Sequence, residues 1–164
     1  MNSNRNSAWT WLVAVVLVHL VISMVHGLAH DRAKVPLSYV ANVFVYVVIL
    51  AGPLVGLALA WWNHRAGNWV IALTMTGSFL FGVVNHFLLS SPDHVAHVDP
   101  QWRPLFTVTS VLLAVTEALA AGLGAKFLAS ERVVVANSGV DLPASKEDHA
   151  SRRYKGSVRA RSDE

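Results

Sequence analysis

The chain has 164 residues, 54% of them hydrophobic and 14% charged, with a mean hydropathy of +0.44, a formal net charge of +3 and no cysteine. Soluble domains carry about 25% charged residues, and the apolar residues here come in runs long enough for bilayer-spanning helices, which excludes a water-soluble globular fold. The lack of cysteine excludes disulfides, iron–sulfur clusters, thiolate metal sites and cysteine nucleophiles.

Two stretches, 35–63 and 66–91, contain no Asp, Glu, Lys or Arg. Four runs can each cross a hydrocarbon core of about 30 Å at 1.5 Å per residue: 8–29, 37–62, 69–89 and 105–128. Trp9, Trp11, Tyr39, Trp61, Trp62, Trp69 and Trp102 lie near the run ends, where amphipathic rings favour the headgroup region. The connections, 30–36, 63–68 and 90–104, are short, so consecutive helices are expected as antiparallel neighbours. The expected fold is an all-α integral membrane protein, an up-down-up-down four-helix bundle over residues 1–129 followed by a tail.

The first run follows Arg5, exceeds a usual signal-peptide core and has no A-x-A site after it, so it is expected as a retained helix. It carries His19, His26 and His30, spaced by seven and four. At 100° per residue these lie within about 40° of one another, in a column roughly 16 Å tall. His26 and His30, at i and i+4, have the spacing that lets two imidazoles share one metal. Each histidine can instead bond a backbone carbonyl or a neighbouring helix.

The second run carries Asn42 and Tyr46 near its outer end, both candidates to support an imidazole from behind. Further on, Gly52, Gly56 and Ala60 recur every four residues beside Pro53, a pattern of close packing with an expected kink. The third run ends in Asn85 and His86, at about the depth of His26, and Thr74, Ser78, Gly82 and His86 recur every four residues. A structural hydrogen bond across a tight contact competes with a ligand role for His86. The following loop holds Asp93, His94, His97 and Asp99 between Pro92 and Pro100, so a short turn can present both imidazoles on one side. Such pairs are also common on ordinary surfaces.

The fourth run brings Glu117, the only carboxylate inside any run, to about the depth of His19. A buried carboxylate either pairs with a cation or takes up a proton, and a His19–Glu117 pair is expected. Beyond it, residues 130–164 hold seven of the 13 Lys and Arg and six of the 10 Asp and Glu, the composition of a disordered cytoplasmic tail. The basic positions Arg152, Arg153, Lys155, Arg159 and Arg161 can lie on anionic lipid or simply be solvated, and no nucleic-acid partner is expected. Basic residues flanking the runs place both termini in the cytoplasm of a multi-pass cell-membrane protein, by a thin margin.

The scarce polar groups thus form an outward-facing histidine-rich site. The first expectation is a bound transition metal (Cu, Zn or Fe), with His26, His30, His86, His94 and His97 as ligands and Asn42, Tyr46, Asn85 and Asp93 behind them, in a respiratory or metal-handling accessory role. A b-type haem held by His26 and His86 is the alternative, although only Arg32 and Arg103 are placed to meet its propionates. The third possibility is a structural or pH-sensing subunit. No P-loop, GxSxG or HExxH is present, so a non-catalytic role is favoured, with lipid and a membrane-protein partner or second copy as surroundings.

Overall fold

In the computed structural model, residues 3–62 and 65–138 are described, the side chains of 3–6 and 131–138 excepted. All regular structure among them is helical. Four helical segments are long and apolar enough to cross a membrane: Ser7–Arg32, Tyr39–Trp61, Arg65–Leu88 and Arg103–Ser130.

Helix α1 covers Ser3–Arg32. Its end has a specific cause: Lys34 adopts a left-handed φ of 55°, Lys34 N–H donates to Asp31 O (3.2 Å) and Val35 N–H donates to His30 O (3.1 Å). This is the paired bonding of a Schellman cap with lysine where glycine is usual, and Pro36 then prevents any continuation. The second segment starts at Tyr39 rather than at 37, because Ser38 is extended (ψ 159°) and its side chain accepts the Ala41 N–H.

That segment is not one regular helix. It runs as α2 (Tyr39–Phe44), a π-helical stretch (Val45–Ala51) and α3 (Gly52–Trp61). Pro53, in the first turn of α3, has no N–H to give to Ile49 O in α register. The irregularity expected at this proline therefore takes the form of a π turn before it. Helix α4 (Arg65–Val83) also passes into a π stretch, Val84–Leu88, which stops where Leu89 becomes extended. It begins four residues before the expected 69, since a polar first turn is invisible to hydropathy.

Helix α5 (Arg103–Ser138) likewise extends beyond the expected 105–128 and occupies the first positions of the expected tail. The remainder of that tail, 139–164, with its basic residues from Arg152 to Arg161, lies outside the described residues. The chain divides into two units after Ala129, and everything described below lies in the first, Met1–Ala129.

Packing of α3 on α4 is backbone on backbone. A Cβ on Gly67 would lie 2.3 Å from Ala60 N and 2.6 Å from Gly56 O, and one on Gly56 would lie 2.5 Å from the Ile71 side chain. Leu12 and Val16 of α1 pack with Ile71 and Met75 of α4 and Ala120 of α5. A second cluster joins Ala29, Phe106 and the loop residue Val98. Beside this apolar core, polar groups are buried and large apolar ones exposed: His19 and Ser78 are 0% exposed and Glu117 2%, whereas Val21, Met24 and Leu73 are 65% exposed or more.

Candidate metal centre

His26 comes from α1, and its Nδ1 lies 2.8 Å from Thr109 Oγ1 on α5. The Thr109 hydroxyl hydrogen is directed to its own helix, towards Leu105 O (2.8 Å) and Phe106 O (3.0 Å). Thr109 Oγ1 is then an acceptor for the ring, so we assign the Nδ1–H tautomer to His26. Its Nε2 keeps a free lone pair.

His86 stands on the π stretch that ends the third segment, and the extra residue of a π turn resets the direction of its side chain. Its Nδ1 donates to the backbone carbonyl of Asp93 at 3.1 Å, which fixes the Nδ1–H tautomer here as well. His26 Nε2 and His86 Nε2 face each other at 3.3 Å. With both protons on the far nitrogens, two lone pairs meet across this gap, an unfavourable contact unless a cation or a proton lies between them. Ligands held at 2.0–2.1 Å in a tetrahedral site are about 3.3–3.4 Å apart. The observed separation is compatible with two nitrogens sharing one ion, and equally with their sharing one proton.

His30, one turn above His26, completes a group in which one ligand atom from each of His26, His30 and His86 lies within 4.8 Å of the others. All three rings are buried. His30 Nδ1 is buried with no hydrogen-bond partner, as is Asp93 Oδ1. That carboxylate oxygen is 3.2 Å from His30 Nε2 and 3.3 Å from His86 Nδ1, without hydrogen-bond alignment to either. Buried polar atoms are normally paired, and these unpaired atoms beside the facing ring nitrogens are compatible with a bound cation. Asp93 is placed behind two of the rings, as carboxylates that orient ligand histidines commonly are. Phe106 closes the group, its ring centroid 4.7 Å from His26, 4.8 Å from His30 and 5.3 Å from His86.

A cavity of about 650 Å³ adjoins the three histidines and continues past Gly82 and Ser78 to Glu117. Behind Glu117, His19 Nδ1 lies 3.9 Å from Glu117 Oε1. The group of three draws together His26, His30 and His86 from the expected ligands, with Asp93 behind them. His94 and His97 stand apart as a loop pair with ring centroids 5.3 Å from each other. Loop bonds engage both: the Ala96 N–H donates to His94 Nδ1 (3.1 Å), and His97 Nδ1 donates to Ser91 O (2.7 Å). The Asn42 amide donates to Leu37 O and Ser38 O, just ahead of α2, and the Asn85 amide to Phe81 O, so each bonds nearby backbone. Tyr46 lines the cavity while remaining 65% exposed.

The chain matches no protein-family model, no curated protein and no solved structure. Thr109 and Phe106 were not apparent in the sequence: a threonine in an apolar helix usually bonds its own carbonyls, and nothing in spacing marks one that also holds a ring. Three imidazoles with a carboxylate nearby are a donor set compatible with Zn, Cu or Fe.

Proposed function

We propose that this chain is a multi-pass cell-membrane protein that binds one transition-metal ion through His26, His30 and His86, in a metal-handling or respiratory accessory role. The observation that carries the reading is the pair of Nε2 lone pairs at 3.3 Å, each made available by a partner on the opposite ring nitrogen. The Asp93 carbonyl orients the His86 ring, and the ion supplies the positive charge that the facing nitrogens and the orphaned His30 Nδ1 lack. Imidazole without thiolate favours Zn, Cu(II) or Fe over Cu(I).

Insertion in the bilayer is supported by the four apolar segments and by their many exposed leucines and valines, with His19, Ser78 and Glu117 buried inside. In this arrangement the helices run up-down-up-down with both termini in the cytoplasm, and the metal site opens to the outside. The apolar flanks suit lipid, a partner helix or a second copy. Binding rather than catalysis is the proposed activity.

Haem is less well supported. Axial nitrogens on opposite faces of an iron are roughly 4 Å apart, twice a metal–nitrogen bond of about 2 Å. Here they meet at 3.3 Å with Phe106 packed against both rings. Elemental and optical analysis of the purified protein tests the proposal: about one metal per chain without a Soret band is expected, falling to a small fraction in His26→Ala/His30→Ala. A metal-free preparation under metal-replete conditions, or undiminished metal in the double variant, overturns it.

A further inference from the structure

Deeper in the same bundle a second pair of buried acceptors faces each other. His19 is 0% exposed and Glu117 2%, and Nδ1 of the one lies 3.9 Å from Oε1 of the other. The tautomer of His19 follows from the chain around Pro53. Ile49 O, which Pro53 cannot serve as an α-helical donor, lies 3.3 Å from His19 Nε2. A carbonyl only accepts, so Nε2 carries the ring proton and Nδ1 carries the lone pair. Nδ1 has no hydrogen-bond partner and points at a carboxylate oxygen. Two buried acceptors held this way are paired only through a proton or a metal cation between them.

We propose that His19 and Glu117 form a second cation site, in series with the histidine triad and taking the same class of divalent transition metal. The kind of ion rests on the proposed function of the triad; the existence of the site rests on the facing acceptors alone. At bond lengths of about 2.0–2.2 Å for nitrogen and oxygen, a separation of 3.9 Å lets both atoms reach one ion at a wide angle. The neutral imidazole and the carboxylate together bring one negative charge, which partly offsets a divalent ion in a low-dielectric interior.

Two protein ligands hold an ion less firmly than three, and the remaining positions fall to water in the cavity or to the hydroxyls of Ser78 and Ser110 that line it. Those hydroxyls donate to Thr74 O and Phe106 O, each at 2.8 Å, which leaves oxygen lone pairs available. The path between the sites is short. His19 and His26 are seven residues apart on α1, about 10 Å along the axis. Gly82 stands between the sites on α4: a Cβ there would lie 3.9 Å from both Glu117 Oε2 and His86 Cδ2. The triad is thus the tight outer station and the His19–Glu117 pair a weaker inner one.

Titration of the full-length, chelator-stripped protein in detergent with Co²⁺ separates the two. Wild type is expected to take up two equivalents in two spectrally distinct phases, the second at least about tenfold weaker than the first. Glu117→Gln and, independently, His19→Gln should remove the second phase and spare the first, while His86→Ala removes the first. Saturation of wild type at one equivalent, abolished by His86→Ala, overturns the inference and leaves the triad standing; the acceptor pair then holds a proton. A second phase that persists in a folded Glu117→Gln protein also overturns it. Absence of any Co²⁺ spectrum in wild type overturns the triad as well.

Discussion

A single hydroxyl decides how His26 can be used. Thr109 accepts from Nδ1 and so turns the lone pair of Nε2 towards His86. Thr109→Val keeps the shape and removes the acceptor; partners behind a ligand histidine are worth about 10–100-fold in metal affinity. Chelator competition should show a loss of that size, and unchanged affinity would mean that Thr109 does not orient the ring. Lys34 offers a separate test at this scale. Its left-handed φ of 55° costs a non-glycine residue about 1–2 kcal/mol, offset in part by the extra backbone freedom of glycine in the unfolded chain. Lys34→Gly is expected to stabilise the protein by a few tenths of a kcal/mol to about 1 kcal/mol, read as a higher melting temperature; a lower one would show that the lysine side chain contributes more than its backbone costs. Of the triad, the i, i+4 pair His26 and His30 and the matching depth of His86 were legible from spacing alone. The tautomers were not, since they depend on Thr109 and on the Asp93 carbonyl, brought close only by tertiary contact.

At the scale of the helices, hydropathy located all four long segments but misplaced their ends. Ends are set by local chemistry: the Lys34 cap, the Ser38 side chain and the polar turn opening α4. The two π stretches were not legible, because a π turn leaves no mark on an apolar run; Pro53 signalled a break without its form. Those stretches adjoin both proposed sites. One precedes the proline that leaves Ile49 O to His19, and the other holds His86. Regularity in glycine spacing does reflect a contact, and that contact makes a sharp contrast. Gly67→Ala would place a Cβ 2.3 Å from the Ala60 backbone, whereas a Cβ on Gly122 meets nothing within 4 Å. Overpacking costs about 1–3 kcal/mol, and an unobstructed helical Gly→Ala is worth up to about 1 kcal/mol in the opposite direction. Thermal unfolding should therefore fall for Gly67→Ala and hold or rise for Gly122→Ala. Equal effects would deny the close backbone crossing of α3 and α4.

Among the described residues of Met1–Ala129, the buried polar side chains include His19, His26, His30, His86 and Glu117, while many leucines and valines face outward. The low charge count makes this arrangement legible early, because so few polar residues remain to be placed. The proposed orientation has a direct check in a chain with no native cysteine. Gln101→Cys should react with a membrane-impermeant maleimide on intact cells, and Ala66→Cys only after permeabilisation. The reverse pattern would invert the orientation, and labelling of both on intact cells would contradict the up-down arrangement.

The central claim, one ion held by three imidazoles, is met most directly by X-ray absorption at the edge of the metal bound to the protein loaded with a single equivalent. The account predicts about three nitrogen scatterers at about 2.0–2.1 Å with the outer-shell signature of imidazole, a distance set by metal–histidine bonds. A coordination shell of oxygen alone, or of fewer than two imidazoles, would contradict it.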